Sequence, residues 1–187
     1  MITVKLPTTS LAYWEWNPSG WLYNLGLYDF AGSGPVHIAS GFGALAWSMM
    51  LGPRLHEESS TASDRKSKLA HYKPHSPLLM CIGTVFIWFG WFAFNGASTA
   101  NLSLRSIYVV VNTNLAACGG GVTWVILDYL YKKKFSLVGF CSGIIAGLVG
   151  ITPAAGYGTL LCLLPPSPSP FPLNRYYLTH IGRYLLM

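Results

Sequence analysis

The sequence predicts an all-α, polytopic integral membrane helical bundle with about four transmembrane helices. Two observations carry that expectation. Apolar types make up 52% of the 187 residues and Asp, Glu, Lys and Arg only 10%, against roughly a quarter charged in a soluble domain. Mean hydropathy is +0.41. The charges are also segregated, because residues 30–53, 74–104, 106–127 and 135–174 contain none. A helix needs about 20 apolar residues to cross a hydrocarbon core of roughly 30 Å, and helices satisfy their own backbone there. The composition excludes a soluble globule and a disordered chain. The 20 Gly and 12 Pro fall without a short period, which excludes a fibrous chain.

Residues 1–33 form an outer-face aromatic lead-in. Tyr13, Trp14, Trp16, Trp21, Tyr23 and Tyr28 crowd there, as aromatics do at membrane–water interfaces. The opening MITVKLPTTS lacks the apolar centre of a signal peptide. The first span is placed at 34–52, behind Asp29 and a Gly-rich helix start. A carboxylate at that position can cap free N–H groups or touch a cation directly. His37 lies inside this apolar run, where an ionisable group by default marks a functional site. Its structural alternative is a neutral histidine bonding a neighbouring helix.

A polar loop, 53–76, follows and is expected to be mobile. Its His56, His71 and His75 lack the carboxylate or thiolate spacing of a metal site. The second span, 78–97, contains WFGWFAFNGAS. Trp88, Trp91 and Phe94 follow at spacings of three and share a face. They either pack the bundle or line a narrow path in which π faces hold a cation. Asn95 and Asn112 read as helix-to-helix hydrogen bonds. The third span is placed at 106–128 and the fourth at 137–156. Gly139, Gly143 and Gly147 of the fourth recur every four residues, a spacing that lets helix backbones approach closely. Beyond Tyr157 the tail, 158–187, is proline-broken and is not read as membrane helix.

Basic residues set the orientation. Arg54, Arg65, Lys66, Lys68 and Lys73 lie in one connection and Lys132, Lys133 and Lys134 in another, whereas 98–105 holds Arg105 alone. Lys and Arg accumulate on the cytoplasmic side, so loops 53–76 and 129–135 are expected inside. The 98–105 connection, with its Asn101-Leu102-Ser103 sequon, and the segment before residue 34 are expected outside. Topology accounts for most of the +6 charge, and no nucleic-acid partner is expected. Cys81, Cys118, Cys141 and Cys162 form no CxxC pair and read as small buried hydrophobes. No metal or cofactor is expected.

The blocks DFAGSGPVHIASGFGALAWSMMLGPR, GTVFIWFGWFAFNGAS, VNTNLAA and SLVGFCSGIIAGLVGITPAAGY resemble consecutive stretches of the ammonium transporter (Amt/Mep/Rh) family. The lead-in AYWEWNPSGW is similar to that of fungal methylammonium permeases. The resemblance runs from Leu11 to Tyr157 and implies spans five to eight of an eleven-helix trimeric transporter, preceded by the end of span four. It implies capture of ammonium at an outer aromatic site, loss of a proton, and passage of ammonia through a pore lined by paired histidines. Carried over, His37 matches the first pore histidine, Phe94 one of two gate phenylalanines, and Trp91 a pore-lining aromatic. Trp16 resembles the outer-site tryptophan, Ser98 the serine beside it, and Asp29 the acid supporting that site. Thr152 falls in the TPAAGY block. Nothing matches the second pore histidine or the second gate phenylalanine; His180 stands in a tail with no family motif.

Three functions follow in order. The first is ammonium transport in the plasma membrane, by a partial subunit with a lipid bilayer around it and ammonium, ammonia or methylammonium as cargo. The alternative is a non-conducting membrane interaction protein that assembles with or inhibits full-length ammonium permeases. The expected assembly is a homotrimer or a hetero-assembly with a full-length permease. An enzyme is not expected, since converging nucleophile, base or metal ligands are missing from the spans.

Overall fold

A computed structural model describes residues 2–52 and 74–157, with side chains from Thr8 onward. Most of the 53–76 loop, with His56 and His71, lies outside the described residues. So does the 158–187 tail, with Cys162 and His180. Every regular element among the described residues is helical. In order they are α1 (Ile2–Trp16), α2 (Trp21–Asn24), α3 (a π-turn, Ser33–Ile38, running into Ala39–Leu51), α4 (Pro77–Ala97), α5 (Leu104–Lys132) and α6 (Leu137–Ile151). By length and composition α4 and α5 can each cross a membrane, while α6 is a shorter apolar helix.

Serine side chains set several starts. Ser76 accepts from the N–H of Leu79 and Ser136 from that of Gly139, at 3.3 and 3.1 Å, each satisfying a donor that the first turn leaves free. Ser103 and Ser106 form a reciprocal capping box ahead of α5.

The boundaries differ from expectation at three places, each for a local reason. The lead-in is helical through Ile2–Trp16, and Asn17 then closes a turn by accepting from Gly20. Helix α5 runs past residue 128 to Lys132, because Asp128, the first charge that ends the apolar run, is paired with Lys132 at 2.9 Å one turn on. The connection expected at 129–135 is correspondingly shorter. Helix α6 stops at Ile151, not 156. Pro153 has no N–H to continue the ladder, and Thr152–Tyr157 folds as turns, with Ala154 donating to Ile151 and Tyr157 to Ala154.

The tightest packing joins α5 and α6. A Cβ on Gly147 would land on the carbonyl oxygen of Ala116, and one on Gly120 on that of Gly143, so bare backbone faces bare backbone. Around this seam Ala117, Ile144 and Leu148 pack with Trp88, Trp91 and Phe140, and Val109, Ile151 and Ala155 with Phe30. The interior also holds Asn95, Asn112, Thr113 and Thr152. Asn95 donates to Thr113 at 3.0 Å and Asn112 to the carbonyl of Ala155 at 3.1 Å. Phe42, Trp47, Phe86 and Phe89 face outward. Amides inside and phenyl rings outside is the arrangement lipid favours.

Candidate functional site

One end of the bundle gathers the chain before α3, the end of α4, the start of α5 and the end of α6. The N–H of Phe30 donates to the carbonyl of Pro153 at 3.0 Å. Arg105 donates twice to the carbonyl of Gly156, at 3.2 and 3.3 Å, and lies over the rings of Phe30 and Tyr157. These ties fix the start of α3 against α5 and α6.

Asp29 builds that start. Its Oδ1 accepts from the N–H groups of Gly32 and Ser33, at 2.9 and 2.8 Å, and its Oδ2 from Gly34 at 2.8 Å. Three orphan donors of the first turn are thereby satisfied by one carboxylate. Gly32 stands at φ +101°, a left-handed conformation that glycine adopts without strain. The π-turn that follows carries His37, and such one-turn distortions recur at functional sites.

The turn delivers the imidazole to the aromatic face of α4. His37 stacks on Trp91 with ring centres 5.0 Å apart and 22° between planes. Phe94 lies 5.6 Å from His37 and 5.7 Å from Trp91. Trp91 is held in turn by Thr152, whose hydroxyl accepts from the indole N–H at 3.0 Å and donates to the carbonyl of Leu148 at 2.9 Å. His37 Nε2 is buried with no hydrogen-bond partner among the described residues. Residues from three helix ends thus meet in one cluster of rings in which His37 Nε2 has no hydrogen-bond partner.

Trp16 is tied to Asp29 through its indole N–H, which donates to the Asp29 carbonyl oxygen at 2.9 Å, and the residue is 46% exposed. Ser98 donates to the carbonyl of Phe94 at 2.8 Å, on its own helix; no hydrogen bond joins it to Trp16. Trp16 and Asp29 instead line a cavity of about 390 Å³ together with Glu15, Tyr23, Tyr28 and Tyr157.

Glu15 is the residue that sequence reasoning missed. It is 6% exposed, and its carboxyl fills the space where a side chain at Gly34 would stand, next to the Asp29 carboxylate that accepts the Gly34 N–H. It lies ahead of the first span. Burial, and then the Asp29 carboxylate beside it, push its pKa up to about 8. The available signal was its isolation, since Glu15 and Asp29 are the two acids of the first 33 residues.

The family model "Ammonium Transporter Family" matches residues 1–162. The chain belongs to the ammonium transporter family. The match covers the lead-in, all the described helices and the ring cluster. Family members include Ammonium transporter 1 of Schizosaccharomyces pombe, 47% identical over 147 residues, which cover 79% of this chain and 28% of that protein. Ammonium transporter MEP2 of Saccharomyces cerevisiae is 49% identical over 148 residues, covering 79% of this chain and 28% of that protein. Among solved structures, the crystal structure of Candida albicans Mep2 superposes with a TM-score of 0.70 at 51% identity, over 84% of this chain and 33% of that one. The chain spans under a third of the length of the two curated relatives. The family is one of membrane transporters, and the helical, membrane-like fold is theirs.

Proposed function

We propose that this chain supplies one wall of an ammonium path in a plasma-membrane transporter, with ammonium, ammonia or methylammonium as cargo. One observation carries the reading: His37 is stacked on Trp91 beside Phe94, with Nε2 buried and unspent. Flat π faces favour a cation outside the constriction. A neutral imidazole offers a hydrogen bond to ammonia within it. Trp16, Ser98 and Asp29 form the outer part of the path, Asp29 by holding the helix start on which His37 stands. Thr152 positions Trp91. Assembly is as a trimer, or with full-length permease subunits that supply the remaining wall. The 53–76 loop and the 129–135 segment, which includes the last turn of α5, face the cytoplasm. The test is methylammonium uptake by cells lacking their own permeases and expressing the chain, alone or with a transport-dead full-length subunit. Uptake that needs the chain and is lost in His37→Ala is expected. Uptake indifferent to His37 would remove the site assignment.

A second reading is favoured by the outward-facing apolar residues Phe42, Trp47, Phe86 and Phe89. In it the chain packs against intact permease subunits without conducting and lowers their activity. Co-expression that leaves an intact permease's assembly and uptake unchanged would discard it.

A further inference from the structure

The described helices fall into two groups. Helices α1, α2 and α3 pack on one another, and α4, α5 and α6 pack on one another. The groups are joined at the start of α3, by the rings of His37, Trp91 and Phe94 and by residues 28–30, which lie against the turns after α6. The place of His37 therefore depends on what holds residues 28–30.

Three ties do so. The N–H of Phe30 donates to the Pro153 carbonyl at 3.0 Å. The Phe30 ring is seated on Gly156, where any side chain would run into it, and meets Tyr157 edge-on at 5.6 Å, while Tyr28 meets Tyr157 from another side at 5.3 Å. Arg105, in the first turn of α5, covers both seats, 5.2 Å from the Phe30 ring centre and 5.3 Å from that of Tyr157. Its Nε and a terminal nitrogen donate to the Gly156 carbonyl. Arg105 thus touches three segments at once. Among the described residues it is in no ion pair, so its charge is met by a carbonyl beyond the end of α6 and by two π faces. Lysine has neither the planar face nor the forked donors for this arrangement. The turn that Arg105 grips is itself fixed to α5, because Asn112 donates to the Ala155 carbonyl at 3.1 Å.

We propose that Arg105 is a positioning residue for His37. Its clamp over Phe30 and Tyr157 sets where the start of α3 stands, and so keeps the imidazole on Trp91 with Nε2 shielded. The path is short. Phe30 adjoins Asp29, whose carboxylate gathers the N–H groups of Gly32, Ser33 and Gly34 into one stiff piece, and His37 follows on the π-turn. Without the clamp that piece shifts as a unit and the imidazole leaves the indole. The α5–α6 seam, built on Gly120, Gly143 and Gly147, takes no part. This positioning does not depend on transport; its effect on uptake rests on the proposed function.

The test is the rate at which diethyl pyrocarbonate modifies His37 in the chain held in lipid nanodiscs, read by peptide mass spectrometry against the exposed His75 as internal reference. His37 should react far more slowly than His75 in the unaltered chain. Arg105→Met should speed His37 about tenfold, as loss of one charge-assisted hydrogen bond does, with His75 and hydrogen exchange across the α5–α6 seam unchanged. Arg105→Lys should fall between the two. An unaltered His37 rate in Arg105→Met, as for an arginine that meets only lipid headgroups, overturns the proposal. So does a rate that rises together with exchange throughout the seam, which is general loosening. If Arg105→Met does not fold, Phe30→Leu decides, since it keeps the arginine and its bonds to Gly156 but removes one ring beneath it; an unaltered His37 rate there overturns the clamp. In the uptake assay Arg105→Met should raise the methylammonium KM severalfold at equal membrane abundance. Faster modification of His37 with no uptake by any form leaves the clamp standing and removes the transport reading.

Discussion

Asp29, Thr152 and Glu15 each do a job that their residue type permits and only their neighbours require. Asp29 organises three N–H groups; Asn keeps one acceptor oxygen and no charge. Asp29→Asn should therefore cost about 2–4 kcal/mol, at roughly 1.5–3 kcal/mol for each hydrogen bond to a charged group. The loss is read as a lower melting temperature in detergent. Thr152→Val keeps the shape but leaves the Trp91 indole N–H buried without its acceptor, a loss of about 1–3 kcal/mol. Thr152→Ser should restore most of it, which separates the hydrogen bond from the packing. Glu15 predicts a pH dependence. The folded chain holds its proton between the ordinary value of 4.5 and about 8, whereas the unfolded chain has released it. Over that window the unfolded state binds fewer protons, so the Glu15 contribution to stability falls as pH rises. Melting temperatures of the unaltered chain and Glu15→Gln should diverge between these limits, the variant losing less on alkalinisation.

At the scale of elements, α5 and α6 form the rigid unit against which the others are set. Their glycines were legible as a four-residue repeat, and the structure adds which backbone atoms each one meets. Gly147→Ala should push the Cβ into the Ala116 carbonyl and cost about 1–3 kcal/mol, as overpacking does. Gly150→Ala, on the same helix with nothing within 4 Å, should cost nothing measurable. Equal melting temperatures for the two variants would refute the close approach. The helix ends were less legible than their centres. A hydropathy run stops at Asp128 because it counts a charge, whereas the helix continues because that charge is neutralised by Lys132 on the same face.

For the whole molecule, the ends of four chain segments meet on one side and the Lys132–Lys134 cluster lies beyond the other end of α5. With the native cysteines replaced, a thiol at Ser103 should react with a membrane-impermeant reagent on intact cells. One at Lys133 should react only after permeabilisation. Labelling in the reverse order would invert the topology. The exposed rings of α3 and α4 face outward in this chain alone, so its stability should depend on lipid or on protein packed against them.

The membrane class, the all-helical architecture and the family were legible in the sequence, and His37, Trp91, Phe94 and Trp16 were legible there as candidates. Those properties are written in composition, charge segregation and local motif order, which act along the chain. The placing of His37 on Trp91, the locking of Trp91 by Thr152 and the placing of Glu15 beside Asp29 were decided by tertiary structure. These partners come from separate segments, and no local pattern encodes which face of one segment meets another. Glu15 shows the difference most plainly. Along the chain it is one acid among aromatic residues, and only the fold buries it against Gly34 and a second carboxylate.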